Sequence, residues 1–307
     1  MRVFVTGGAG FIGRAIVRQL RARGDDVTAA VRDRARASSI NALGAHLVET
    51  DLGTVAGVRD AMRGCDAVIH LAASYRVGIM PSERPAMYEA NVAVMARVLD
   101  AAIELAIPRI VAVTTVNVFG NTNGQLVNET YRRDPTEGFL SYYDETKFLA
   151  HRLAEARIAD GAPILIAMPG VTYGPGDHTP IGAQLKAAFD GTARMITGGD
   201  MGISAVYVED LASGILAVLD HGRIGEAKAD LMAAVARSSS TLTSRTYHSS
   251  AASKVGRSIS VRSATLSVAL SPSGAATRPK SWHPPPGVHR LRPAPGSGSD
   301  GGSDGHT

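Results

Sequence analysis

The first thirteen residues, Met1-Arg2-Val3-Phe4-Val5-Thr6-Gly7-Gly8-Ala9-Gly10-Phe11-Ile12-Gly13, constrain this chain more than any other stretch. Val3 to Val5 supply β-branched and aromatic residues for a buried strand. From Phe11 the apolar positions Phe11, Ile12, Ala15, Ile16 and Leu20 change to helical spacing. Between them the glycines satisfy both Gly8-x-Gly10-x-x-Gly13 and Gly7-x-x-Gly10-x-x-Gly13. Glycine lets the backbone approach a pyrophosphate, and the helix behind it offers free N–H groups and a positive dipole end. In a plain turn such glycines carry no meaning; the strand before and the helix after make this one a dinucleotide cradle.

Downstream, strand and helix alternate. The first helix reaches about Arg23 and stops at Gly24, residues 27–31 and 46–49 read as strands, 55–63 as a helix, and 67–73 as a strand apolar enough to be central in a parallel sheet. Residues 74–87, with Gly78, Pro81 and Pro85, read as a loop over the cofactor crevice, and 88–105 as one long helix. Residues 109–115 and 163–168 are further buried strands. This order specifies an α/β fold with a doubly wound parallel sheet, whose ligands lie beyond the carboxyl ends of the strands. Residues 120–140 are polar and turn-rich. Residues 181–189 predict a helix, 203–208 a strand and 209–219 a helix that Glu209 and Asp210 begin.

The end of the second strand selects the cofactor. An acidic side chain there would accept from the ribose 2′-hydroxyl of NAD, whereas an arginine pairs with the 2′-phosphate of NADP. Arg32 favours NADP, and the adjacent Asp33 keeps NAD as the alternative. Asp51, after the third strand, either accepts from the adenine amino group or caps the next helix. His70, inside an apolar run, reads as a satisfied core residue, and Cys65 as a loop residue. Ser141-Tyr142-Tyr143-Asp144-Glu145-Thr146-Lys147 opens a helix over 142–158, with Tyr143 and Lys147 one turn apart on one face. A phenol of pKa ~10 exchanges protons poorly at neutral pH, but a neighbouring ammonium and a nicotinamide cation both favour its phenolate. Tyr-x-x-x-Lys alone also arises by chance as a surface tyrosine and a solvated lysine. Thr114, Thr115 and Asn117 stand at the carboxyl end of the strand at 109–115, and the rigid loop from Pro169 to Asp177 should border the nicotinamide.

Together, in this order and at these separations, the pieces resemble the extended short-chain dehydrogenase/reductase family, the NAD(P)-dependent epimerases and dehydratases, over roughly residues 1–227. The resemblance implies a Rossmann fold. It assigns Gly7, Gly10, Phe11, Ile12 and Gly13 to the cofactor loop, Asp51 and Leu52 to the adenine, and Ala72, Asn91, Tyr143 and Pro169 to further cofactor-binding positions. It makes Tyr143 and Lys147 the catalytic pair, with Lys147 also on the cofactor ribose, and Thr115 the hydroxyl that holds the reacting oxygen. Tyr173-Gly174-Pro175-Gly176-Asp177 and Val208-Glu209-Asp210 match further family motifs. Ala30-Val31-Arg32-Asp33 is similar to the NADP-binding strand end of dihydroflavonol-4-reductase-like members, which reduce a ketone or aldehyde. Met168 stands where many nucleotide-sugar members carry an arginine, which disfavours such a substrate.

The implied function is an NADP-dependent oxidoreductase moving hydride between nicotinamide and a carbonyl or alcohol carbon, with Tyr143 transferring the proton. A nucleotide-sugar epimerase or dehydratase with tightly held NAD is the alternative. A non-catalytic dinucleotide-binding protein and an inactive truncated product are two others. No metal enters the reading, and the family suggests a homodimer through the helices at 88–105 and 142–158. With one cysteine, no leader before the first strand and no apolar run long enough to span a bilayer, the expectation is a cytoplasmic protein without membrane contact.

The net charge of +4 does not indicate nucleic acid, because it is unevenly placed. Residues 231–307 hold nine Lys/Arg and two Asp/Glu, a surplus of +7, leaving 23 basic and 26 acidic residues and a net of −3 for residues 1–230. From 231 to 299 there is no Asp or Glu, and Ser, Arg, Ala, Pro and Gly dominate. Such a segment lacks the apolar surface that offsets chain entropy, so 228–307 is expected to be a disordered low-complexity tail. It stands where the family continues into a substrate lobe, of which about 170–227 would be the surviving part. Translation of a GC-rich gene out of frame from near residue 228 would produce this composition.

Overall fold

A computed structural model describes residues 1–134, 136–192, 202–229 and 266–267. Contacts divide the chain into Met1–Ala269 and Leu270–Thr307, and every described residue lies in the first unit. Its first half runs β1 (Arg2–Thr6), α1 (Phe11–Ala22), β2 (Asp26–Val31), α2 (Ser38–Asn41), β3 (His46–Glu49), α3 (Val55–Met62) and β4 (Ala67–His70). Then come α4 (Arg84–Tyr88), a π-helical segment at Glu89–Ala93, α5 (Val94–Glu104), β5 (Ile110–Val113), α6 (Tyr142–Ala159) and β6 (Ile164–Ala167). Last are β7 (Val171–Tyr173), α7 (Pro180–Phe189), β8 (Gly202–Ile203), β9 (Ala205–Tyr207), α8 (Val208–His221), β10 (Ala227–Lys228) and β11 (Leu266–Ser267).

Seven parallel strands form one sheet in the order β10-β6-β5-β4-β1-β2-β3. The chain winds outward from β1 to β3, then crosses to β4 on the other side of β1. This is the doubly wound sheet, a Rossmann-like fold, and its switch point lies between β1 and β4. Every residue of β4, β5 and β6 is buried, which is why these strands read as continuous apolar runs. Val3, Val5, Ile69, Val111 and Leu165 face α1 and α8; Phe4, Val68, Ile110 and Ile164 face α3, α5 and α6.

Four expectations change. The helix expected at 88–105 starts earlier, because Pro81 and Pro85 lie in the first turns of helical segments, where a missing N–H costs nothing. The strand expected at 203–208 is shorter, since Val208 already begins α8. α8 and β10 do not belong to a substrate lobe: Leu211, Ala212, Ile215, Val218 and Leu219 pack into the main core, and β10 extends the main sheet beside β6. β7 and β9 pair apart from it, as a two-stranded parallel ribbon. The body therefore reaches past Ala227. Leu266–Ser267 pairs antiparallel with β8, while the rest of 230–307, with the disorder expected there, lies outside the described residues. Among the described residues, no helix is long and apolar enough to cross a membrane.

Candidate active site

The turn after β1 tolerates nothing but glycine at two positions. Gly7 has φ +71°, and a Cβ there would stand 2.8 Å from the backbone nitrogen of Ala72; a Cβ on Gly13 would stand 2.2 Å from the Gly7 carbonyl oxygen. Ala72 in turn donates its N–H to Thr6 Oγ1 at 3.2 Å, so the ends of β1 and β4 are locked together at the switch point. Gly10 donates to the Gly7 carbonyl at 3.0 Å, and a Cβ on it would meet nothing closer than that oxygen at 3.2 Å. Gly10 caps α1 without a side chain and the first turn holds no acid, whereas Thr54, Ser141 and Thr179 cap α3, α6 and α7. The N–H groups at Phe11 and Ile12 are thus left for an anion, and the cradle fits a dinucleotide's pyrophosphate.

At the end of β2, Arg32 is exposed and makes no ion pair among the described residues. Asp33 is occupied: its Oδ1 accepts from Ala35 N at 2.8 Å, and its Oδ2 pairs with Arg36 at 3.4 Å. Asp51 does not cap the next helix, because Thr54 does, accepting from Gly57 N at 3.1 Å; Asp51 instead accepts from Gly53 N at 2.7 Å. Leu52 adopts φ +57°, with its N–H on Thr50 Oγ1 and its carbonyl accepting from Arg97 at 2.7 Å.

Asn91 lies within the π-helical segment and is 2% exposed. Its Oδ1 accepts from Ser74 N at 2.6 Å, and its Nδ2 donates to the Ser74 carbonyl at 3.0 Å and to Thr146 Oγ1 at 2.9 Å. With both amide protons committed, Asn91 does not serve as a direct donor to a cofactor; it ties the loop after β4 to α6. Thr146 completes the tie by donating to the Tyr143 carbonyl at 2.8 Å. Neither Ser74 nor Thr146 carried a signal in the sequence beyond its neighbourhood to a motif.

α6 starts where Ser141 accepts from Asp144 N, and it carries Tyr143 and Lys147. Lys147 is buried and donates through Nζ to the Val113 carbonyl at 3.1 Å; burial lowers its pKa to about 8. Burial raises the Tyr143 phenol above its ordinary range, and Tyr75 and Asp144 push it further the same way. The Lys147 ammonium is turned to the β5 carbonyl. Thr115 follows β5, donating to the Pro169 carbonyl at 3.3 Å, a carbonyl that also takes Val116 N at 3.1 Å. Asn117 donates to Asp144 at 2.9 Å, tying the turn after Thr115 to the start of α6. His70 is a core residue as read, with Nδ1 2.7 Å from Thr6 Oγ1, but its Nε2 has no partner, and burial lowers its pKa to about 3, so it is neutral.

A doubly wound sheet with a glycine-only cradle at its switch point, and a Tyr–Lys pair on a neighbouring helix, defines a protein built to bind a dinucleotide cofactor. A family model described as the NAD dependent epimerase/dehydratase family matches residues 3–233, and the chain belongs to that family. Its members are NAD(P)-dependent oxidoreductases, epimerases and dehydratases. Over 230 residues the chain is 30% identical to a Synechocystis sp. protein with a provisional dihydroflavonol 4-reductase name, covering 74% of this chain and 65% of the relative. A Stigmatella aurantiaca ketoreductase of a farnesylated dihydroquinoline oxide is also 30% identical, over 74% of this chain and 66% of its own length. The dTDP-glucose 4,6-dehydratase DesIV of Streptomyces venezuelae, solved with NAD bound, is 29% identical with a TM-score of 0.65, covering 74% of each chain. The chain thus spans slightly less than two thirds of these two curated relatives.

Proposed function

We propose that this chain carries the cofactor-binding and proton-transfer apparatus of an NADP-dependent reductase acting on a carbonyl carbon. The observation that carries this reading is the end of β2, where Asp33 is committed to its own turn and Arg32 is left exposed and unpaired among the described residues. A free guanidinium there recognises a 2′-phosphate bidentately, while a carboxylate already bound to backbone is poorly placed for a 2′-hydroxyl. The reductase names of the two curated relatives support the same direction of chemistry.

When bound, the nicotinamide supplies the hydride. Tyr143 gives the proton to the oxygen of the reduced carbonyl; its phenol, protonated at neutral pH and held so more firmly by burial, is a donor in its resting state. Lys147 holds one hydrogen bond to Val113, which fixes its ammonium and leaves two donors for the cofactor ribose. Thr115 exchanges its 3.3 Å bond to the Pro169 carbonyl for the substrate oxygen. Asn91 and Thr146 keep the loop after β4 against the first turn of α6.

Titration with NADPH and NADH tests the cofactor assignment. NADPH should bind more tightly, and Arg32→Ala should remove most of the difference, roughly 1.5–3 kcal/mol or about ten- to a hundredfold. Equal curves for the two cofactors in the unaltered protein would refute it. The second reading, a nucleotide-sugar dehydratase or epimerase, draws on the likeness to DesIV and predicts NAD retained through purification.

A further inference from the structure

The arginines of α1 and its carboxyl end have carboxylate partners, with one exception. Arg18 pairs with Glu209, Arg21 with Asp26, and Arg23 with both Asp25 and Asp220. Arg14 is the fourth residue of α1 and the arginine nearest the cradle. Its side chain is partly buried, yet it makes no hydrogen bond or ion pair among the described residues. Its place is unfavourable as it stands, because the amino end of a helix is positive and the first turn of α1 holds no acid to offset a cation. A charge set against the helix dipole, and given no partner by the chain, marks a place where an anion arrives from outside.

Geometry keeps the guanidinium close to the pyrophosphate turn. Arg14 N donates to the carbonyl of Gly10, the residue that caps α1, at 3.0 Å, and helical side chains lean toward the amino end. The far end of the side chain reaches the loop after β7, where Nη2 lies 3.1 Å from the place a Cβ on Gly176 would occupy. Gly176, at φ +84°, leaves that room, so the loop lies within one arginine's reach of the cradle. Asp177 in the same loop makes no ion pair with Arg14 and faces α7 instead. Its Oδ1 accepts from Thr179 N at 2.8 Å, and its Oδ2, buried without a hydrogen bond, lies 2.6 Å from the place a Cβ on Gly182 would occupy.

We propose that Arg14 binds the pyrophosphate of the cofactor and that Gly176 is glycine to seat its guanidinium. The backbone N–H groups of the cradle offer partial charges to a group bearing two full negative ones; the guanidinium supplies a whole charge and a fork that fits two phosphate oxygens. The proposal rests on the dinucleotide cradle and holds whether the cofactor is NADP or NAD. Arg32 answers to the 2′-phosphate, Arg14 to the phosphates that both cofactors share.

Calorimetric titration of the full chain with NADP⁺ and with NAD⁺ tests it. Arg14→Met should weaken both by the same factor, roughly ten- to a hundredfold, the scale of a charge-assisted phosphate contact. Arg14→Lys keeps the charge and should recover most of the loss. Without cofactor, Arg14→Met should melt no lower than the unaltered protein, since it removes a cation that opposes the helix dipole. Unchanged dinucleotide affinity in Arg14→Met would overturn the proposal. A loss confined to NADP⁺ would overturn it by assigning Arg14 to the 2′-phosphate, and a lower melting temperature by making it a structural tie to the loop. UDP titrated into cofactor-loaded protein tests the other source of a diphosphate: UDP binding lost in Arg14→Met while dinucleotide affinity stays would assign the residue to a substrate and overturn the proposal too. If the unaltered chain binds neither dinucleotide, the cradle reading fails and the proposal with it; if it prefers NAD⁺, only the Arg32 reading fails, and Arg14→Met should still weaken NAD⁺.

Discussion

Replacing Lys147 by methionine should make the cofactor-free protein more stable near pH 7 while abolishing its chemistry. Lys147 is 4% exposed, and burial lowers its pKa from 10.5 to about 8. Keeping it protonated inside the fold therefore costs roughly 3 kcal/mol at any pH where both folded and unfolded chains carry the charge. Methionine has similar length and no charge, but it forfeits the hydrogen bond from Nζ to the Val113 carbonyl, worth about 1 kcal/mol. The variant should gain about 2 kcal/mol at pH 7. The sign reverses with pH. Between about 8 and 10.5 the unfolded chain still holds the proton that the folded one has released, so unfolding takes up a proton and the unaltered protein grows more stable as pH rises. Above that window both forms are neutral, the burial cost is gone, and the variant should be about 1 kcal/mol the less stable. Urea unfolding of both proteins at pH 7 and pH 10.5, with m-values compared, measures this directly. A variant less stable at pH 7, or a difference that does not change with pH, would refute the account of Lys147 as a buried cation held for function.

Tyr143→Phe should leave cofactor binding intact and lower turnover by about 10²–10⁴, the usual weight of a positioned acid; Tyr142→Phe should do far less, since that ring packs under the Arg84 guanidinium, 5.0 Å from it. Like effects in steady-state assays would mean the wrong face of α6 has been assigned. Gly13→Ala should abolish dinucleotide binding measured by fluorescence titration, because its Cβ would sit 2.2 Å from the Gly7 carbonyl and force the cradle open. Retained affinity would show that the turn is not the phosphate site.

Some of this protein was written locally. The β1–turn–α1 unit, the limits of β3 at His46–Glu49 and the shared face of Tyr143 and Lys147 all follow from patterns spanning fewer than about fifteen residues, which periodicity and backbone sterics decide without the rest of the chain. The start of α4 is also local, since Pro81 and Pro85 suit the first turns of helical segments as well as they suit loops. What the tertiary structure decided are the meetings of distant segments. β4 lies beside β1, so that Ala72 closes on Gly7; the π-helical segment aims Asn91 at Ser74 and Thr146; Lys147 turns to Val113, and Tyr75 to Tyr143. The helix begun by Glu209 and Asp210 reads as part of the substrate lobe at about 170–227, yet α8 is buried against α1 and the sheet. A one-dimensional pattern states that a face is apolar, but which partner covers it depends on strand order and crossover, and those are settled only when the whole core packs at once.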